Sequence, residues 1–187
     1  EYNFDTKKIL RTLREWVEVE SPTFDKDAVN RMMNLCSNFL AEMGGRLERV
    51  PGRKNLGDCL IATFNETPEN SHSPGILIMG HMDTVHPIGT IKKLPFKLEG
   101  EICYGPGICD MKGGNYIALE AIRQIQKLNL QTPLPVSILF TSDEEIGSPY
   151  TRKLIESEAS ASKIVLVPEP AKRKVGVVSG RYAIARY

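Results

Sequence analysis

Three short apolar runs in this chain each stop at polar residues capable of chemistry. Residues 76–79 read ILIM and lead into GHMDT at 80–84. Val136–Thr141 leads into Ser142, Asp143, Glu144 and Glu145. Residues 164–167 read IVLV and lead into Pro168, Glu169 and Pro170. Apolar runs this short, with little alternation, predict strands buried on both faces. Helical patterns lie between them. Strands alternating with helices predict an α/β sandwich around a mixed, mostly parallel sheet.

The helical segments carry their own start and stop signals. Asp5 or Thr6 can cap a helix whose stripe is Ile9, Leu10, Leu13, Trp16 and Val17, and Ser21-Pro22 ends it. A second helix is expected from about Asp25, with Ala28, Met32, Leu35, Cys36, Phe39, Leu40 and Met43 on one face and Gly44-Gly45 as its stop. Arg46–Val50 and Cys59–Phe64 predict strands, and residues 65–75 predict a loop. Residues 96–98 and 102–104 flank Glu99-Gly100-Glu101 as a small hairpin. A helix is expected from Gly113-Gly114 to about Leu128, with Ile117, Ala118, Ala121, Ile122 and Ile125 facing inward. Residues 149–158 predict a short helix, and 175–179 and 182–186 two further strands.

Composition narrows the function classes. A chain of 187 residues can bury one real core, and 41% hydrophobic with 25% charged residues is an ordinary globular balance. A net charge of +1, with scattered Lys and Arg, argues against nucleic acid or an anionic membrane as the main partner. No apolar stretch approaches the roughly 18 residues of a membrane helix, so a soluble protein is expected. The compartment expected is cytoplasmic, with periplasmic or secreted left open because the sequence starts without an initiator Met. The 4 cysteines form no C-x-x-C pair and are expected as reduced thiols.

In an open α/β sheet, sites lie beyond the carboxyl ends of the strands. His81, Asp83, Glu144, Glu145 and Glu169 all follow such ends, and Asp110 lies in a glycine-rich loop, GPGICDMKGG at 105–114, that feeds a helix. Each piece taken singly reads as an ordinary turn. Five carboxylates and an imidazole in one cleft need a compensating cation. Imidazole with carboxylates suits Zn²⁺, Co²⁺ or Mn²⁺. Two ions about 3.5–4 Å apart would use more of the carboxylates than one ion can. The His-x-Asp spacing also lets Asp83 hydrogen-bond the ring of His81 and fix its tautomer.

The motifs GHMDT at 80–84, YGPGICDMKGG at 104–114, TSDEEIGS at 141–148 and PEP at 168–170 resemble the co-catalytic zinc amidohydrolases. That family includes glutamate carboxypeptidase, aminoacylase, acetylornithine deacetylase and succinyl-diaminopimelate desuccinylase. The resemblance runs along nearly the whole chain, in order, and is strongest to the glutamate carboxypeptidase branch. It implies a three-layer sandwich and two zinc ions. By it, His81 and Glu169 bind one zinc, Asp110 bridges both, and Glu145 binds the second. Asp83 orients His81, and Glu144 is the general base. It further implies a cis peptide after Asp110.

The implied activity is hydrolysis of an amide bond that releases a C-terminal amino acid, glutamate being the candidate, from a peptidyl or N-acyl substrate. The alternatives are an N-acyl amino acid deacylase, a two-metal phosphoesterase, and a binding module or inactive metal-binding fragment on the same scaffold. Asp143 is assigned no catalytic role and is expected to be structural or solvated. Lys112 is expected at the surface or beside a local charge. Family members are about twice this long and carry a lid domain that often makes a homodimer. Residues 1–187 are therefore expected to be the N-terminal part of the catalytic domain, ending about where that lid begins. The second-metal histidine and the oxyanion-stabilising histidine are expected to lie outside it.

Overall fold

The computed structural model of the chain describes residues 4–67, 70, 73–170 and 176–180. In chain order its elements are α1 (Thr6–Glu18), α2 (Lys26–Glu42), β1 (Arg46–Val50), β2 (Cys59–Phe64), β3 (Gly75–His81), α3 (Thr90–Lys93), β4 (Lys97–Glu99), β5 (Ile102–Tyr104), α4 (Gly113–Lys127), β6 (Val136–Thr141), α5 (Arg152–Ser160) and β7 (Ser162–Leu166). Among the described residues no helix is long and apolar enough to cross a membrane. All four cysteines are free.

The central sheet has the order β1-β2-β6-β3-β7. β2 pairs antiparallel with both β1 and β6, whereas β3 pairs parallel with β6 and β7. Only β2 runs against the others, so the sheet is mixed and mostly parallel. β4 and β5 form the separate hairpin.

Alternate residues of the strands feed two cores, as the pleat requires. On one face Leu60, Ala62, Phe64, Ile138 and Phe140 pack with Leu13, Trp16 and Val17 of α1, Met32, Cys36 and Leu40 of α2, and Tyr116, Leu119 and Ile122 of α4. On the other face Cys59, Ile61, Leu77 and Leu139 pack with Leu154, Ile155 and Ala159 of α5. The result is three layers, helix on sheet on helix. Trp16 anchors the larger core edge-to-face against both Phe39 and Tyr116, with ring centroids 5.8 and 5.6 Å away.

The caps fall where the sequence places them. The Asp5 carboxylate accepts the Lys8 N–H at the start of α1, and the Asp25 carboxylate accepts that of Ala28 at the start of α2. Gly44, at φ 80°, lets the chain leave α2.

Four expectations need correction. The buried strand expected over 164–167 is β7, Ser162–Leu166, and Ile164, Val165, Leu166 and Val167 are all exposed, because β7 ends the sheet and among the described residues no strand flanks its far side. The inward face of α4 is Tyr116, Leu119 and Ile122 together with Asn115, Glu120 and Gln124, while Ile117 is 70% exposed and Ala121 is also exposed. The face turns because Glu120 and Gln124 satisfy each other inside the protein, Gln124 Nε2 donating to Glu120 Oε1 at 2.6 Å and Arg123 pairing with Glu120 at 2.7 Å. Lys112 is no surface residue. It is 1% exposed, and its ammonium donates to the carbonyls of Trp16 (3.1 Å) and Val19 (2.7 Å) at the C-terminal end of α1, where the helix dipole favours a cation. Burial pulls its pKa down to about 8 against the opposing pull of Cys36 and Glu20. The short helix expected over 149–158 begins later, at Arg152. The strand expected at 182–186 lies outside the described residues, as does Val175. Residues 176–180, which include the described part of the strand expected at 175–179, are exposed.

Candidate metal centre

Because β6, β3 and β7 are parallel neighbours, their carboxyl ends open on one edge. His81 is the last residue of β3 and is 1% exposed. Its Nδ1 lies 2.9 Å from the Asp83 carbonyl oxygen and 3.5 Å from Asp83 Oδ1. Asp83 therefore holds the ring through both groups, its carbonyl the nearer and its carboxylate close behind. Its other nitrogen, Nε2, faces the edge and lies 3.0 Å from Asp110 Oδ1, 3.7 Å from Glu144 Oε2 and 3.7 Å from Glu169 Oε1.

The Asp83 carboxylate has further partners. It accepts the Thr23 hydroxyl at 2.8 Å and the backbone N–H groups of Glu144 and Glu145, each at 3.3 Å. One residue thus ties the imidazole to the turn that carries the two glutamates. Thr23 reaches Asp83 because the α1–α2 connection lies along residues 82–84. Ser21 Oγ donates to the Met82 carbonyl at 2.6 Å, and the Thr84 N–H donates to the Ser21 carbonyl at 2.8 Å.

Asp110 arrives from the loop ahead of α4. The helical segment Ile108–Lys112 breaks there, with Asp110 at φ −121°, ψ 99°, and the Asp110–Met111 peptide is cis, as the resemblance implies. Asn115, in the first turn of α4, donates to the His81 carbonyl at 2.8 Å. This contact leaves no room for a side chain at Gly80, whose Cβ would stand 2.0 Å from Asn115 Oδ1. Gly114 is constrained from the opposite side. A Cβ there would stand 1.8 Å from the Pro168 carbonyl, just before Glu169. Gly114 therefore lets α4 approach the chain that delivers Glu169. Gly114→Ala is expected to destabilise the fold by about 1–3 kcal/mol through overpacking. It is also expected to weaken metal binding by displacing Glu169. Urea unfolding and a cobalt titration measure the two effects.

The structure brings His81, Asp110 and Glu169 into one group whose ligand atoms lie within 4.8 Å of one another. Glu144 stands beside this trio and its side chain is 48% exposed. Glu145 shares the electrostatic neighbourhood but is not part of the trio. Burial raises the Glu145 pKa, the His81 charge opposes that rise, and the negative charges of Asp110, Asp83 and Glu144 add to it.

The electrostatics fit a cation at the trio. Among the described residues the ion pairs of Asp83, Asp110, Glu144 and Glu169 all go to His81. Burial pushes Glu169 up to about 7, and the neighbouring Asp110 and Glu144 carboxylates add to that rise against the pull of His81. Burial by itself would lower the His81 pKa, but the side chain, charge and carbonyl of Asp83, with Glu144, hold it at about 10. One imidazolium stands in for the positive charge the acids require, and its Nε2 points where a metal ligand should. One imidazole and two carboxylates are a donor set suited to zinc.

Fold and donor cluster define the class first: an α/β domain with a candidate metal centre at the carboxyl edge of its parallel strands. The chain belongs to peptidase family M20/M25/M40, whose family model matches residues 77–183. Carboxypeptidase G2 of Pseudomonas sp. (strain RS-16) is 32% identical over 163 residues, covering 87% of this chain and 38% of that protein. Acetylornithine deacetylase of Pasteurella multocida (strain Pm70) is 33% identical over 160 residues, covering 82% of this chain and 39% of that protein. The chain thus spans well under half the length of these relatives. Among solved structures, human carnosine dipeptidase 1 superposes with a TM-score of 0.72 at 20% identity, over 86% of this chain and 38% of that one. An M20 family metallo-carboxypeptidase from Sulfolobus solfataricus superposes with a TM-score of 0.70 at 20% identity, over 88% and 37%. At that identity the superpositions establish the fold, and they match the α/β architecture expected from the sequence.

Thr23 and Asn115 are the supporting residues that the sequence reading missed. Neither carries a local signal. Each acts on a residue far along the chain, Thr23 on Asp83 and Asn115 on the His81 carbonyl.

Proposed function

We propose that the protein, at its full natural length, hydrolyses an amide bond and releases a C-terminal amino acid from a peptidyl or N-acyl substrate. Glutamate is the first candidate for that amino acid. The observation that carries this reading is the trio of His81, Asp110 and Glu169 with Glu144 beside it at the carboxyl edge of the sheet. His81 and Glu169 would hold one zinc, Glu145 a second, and Asp110 would serve both, with Co²⁺ or Mn²⁺ as substitutes. The metal, when bound, supplies Lewis acidity at the scissile carbonyl and acidifies a water.

Glu144 is the general base. Its side chain is half exposed, so water from solvent has access to it. It takes one proton from that water as the oxygen attacks the carbonyl carbon, then delivers the proton to the departing nitrogen. Asp83 positions both partners of this step, the His81 ring through its carbonyl and the Glu144–Glu145 turn through its carboxylate. The carboxypeptidase and deacetylase among the relatives support an amide or acyl-amide substrate. The family resemblance supports a homodimer formed through a lid domain.

The test is a panel of peptidyl and N-acyl amino acids, alongside phosphate esters, incubated with the full-length protein. Release of the C-terminal amino acid, lost on chelation and regained with Zn²⁺, is expected. Cleavage of the phosphate esters with the amides left intact would overturn the reading.

A further inference from the structure

Asp143 heads the segment that carries Glu144 and Glu145, and it is 0% exposed. Of the structural and solvated roles expected for it, burial removes the solvated one. Its carboxylate has no cationic partner among the described residues and is satisfied instead by three donors. Oδ2 accepts the backbone N–H groups of Tyr150 (2.9 Å) and Thr151 (3.2 Å), and Oδ1 accepts the Thr151 hydroxyl. Its own carbonyl accepts the Ser148 N–H at 2.8 Å. Both ends of the loop therefore meet at one residue.

Between those ends the chain makes the tight turn Glu144–Ile146 and reverses through Gly147 at φ 87° and Ser148 at φ 53°. A serine in the left-handed region is uncommon and persists where surrounding bonds hold it. On its other side the same turn gives the N–H groups of Glu144 and Glu145 to the Asp83 carboxylate. The turn that carries the two glutamates is thus gripped by a buried carboxylate on each side.

We propose that Asp143 is a positioning residue for the reaction. With Thr151 it buckles the 143–151 loop so that the Glu144 carboxylate faces the trio at the angle proton transfer needs. It touches neither the trio nor the substrate and acts through the turn that carries Glu144 and Glu145, so the proposal rests on Glu144 being the base. Both of its oxygens are acceptors in use. An amide at this position keeps one acceptor and turns an NH₂ group toward a donor. His81, Asp110 and Glu169 come from other elements, so the trio stays in place when the buckle opens.

The test uses the full-length protein with Asp143→Asn and the pair Thr151→Val and Thr151→Ser. Supporting hydrogen bonds around metal sites are worth about 10–100-fold, so Asp143→Asn is expected to lower kcat by about that factor. KM and the Co²⁺ affinity of the trio are expected to stay within about twofold, the split that marks loss of an interaction made in the transition state. Thr151→Val lowers kcat less, and Thr151→Ser restores it because the hydroxyl returns. Hydrogen exchange over residues 144–150 is expected to quicken in Asp143→Asn and Thr151→Val and to return to the wild-type rate in Thr151→Ser.

A lower unfolding midpoint with unchanged kcat and unchanged exchange would make Asp143 merely structural and overturn the proposal. If Asp143→Asn does not fold, the Thr151 pair decides by the same readouts. If the wild-type protein cleaves no amide, the functional reading falls. The exchange measurement then still judges the buckle, and unchanged rates in Thr151→Val overturn it.

Discussion

Glu144→Gln is expected to lower kcat for amide hydrolysis by about 10²–10⁴-fold, the usual worth of a positioned general base. Glutamine keeps the shape and removes the proton acceptor. The backbone N–H of Glu144 still donates to Asp83, so the turn is retained. Glu144 stands 3.7 Å from His81 Nε2 but is not one of the three clustered ligands, so Co²⁺ binding at the trio should persist. Steady-state kinetics beside a cobalt titration separate the two effects. Loss of metal together with activity would make Glu144 a ligand, and an unchanged kcat would remove it as the base.

Metal affinity is expected to fall steeply as the pH drops. A metal takes the neutral imidazole and the ionised carboxylate, so binding must displace any protons those groups hold. The His81 pKa is raised to about 10, and the metal-free ring therefore keeps its proton throughout the neutral range. From that value downward each pH unit costs about tenfold in apparent affinity. Glu169 is raised to about 7, so below that pH a second proton must leave and the slope approaches about a hundredfold per unit. Competition titrations of Zn²⁺ between pH 6 and pH 9 measure this slope. An affinity independent of pH would show that neither group is a ligand.

Much of the fold was legible because local signals and burial agreed. Asp5 and Asp25 cap the helices they precede, and β1, β2 and β6 run over the residues that the apolar patterns mark. α4 was legible as a helix but not in its rotation. Periodicity counts Ile117 as core, yet the protein buries Asn115, Glu120 and Gln124 instead: the Asn115 amide donates to the distant His81 carbonyl, and Glu120 is held within the helix by Arg123 and Gln124. Lys112 misled for the same reason, since its partner carbonyl on Trp16 lies 96 positions earlier.

The candidate site was legible in the residues it gathers. His81, Asp110 and Glu169 are polar residues at strand ends or in a glycine-rich loop, and the parallel order of β6, β3 and β7 does the gathering. What sequence could not supply is the scaffold beneath them. Asp83 was read as a support for His81 through its carboxylate. In the structure its carbonyl takes the nearer contact with the ring, and the carboxylate spends its bonds on Thr23 and the Glu144–Glu145 turn. Backbone donors and acceptors carry no sequence signature, so such divisions of labour emerge only when distant segments are placed together.

The central claim is that His81, Asp110 and Glu169 hold a divalent metal. Calorimetric titration of Zn²⁺ into the metal-free full-length protein, wild type against His81→Ala, tests it most directly. The expected result is a tight site in the wild type that weakens by more than the 10–100-fold typical of a lost supporting partner when the imidazole is removed. Zinc bound by His81→Ala as tightly as by the wild type would contradict the claim.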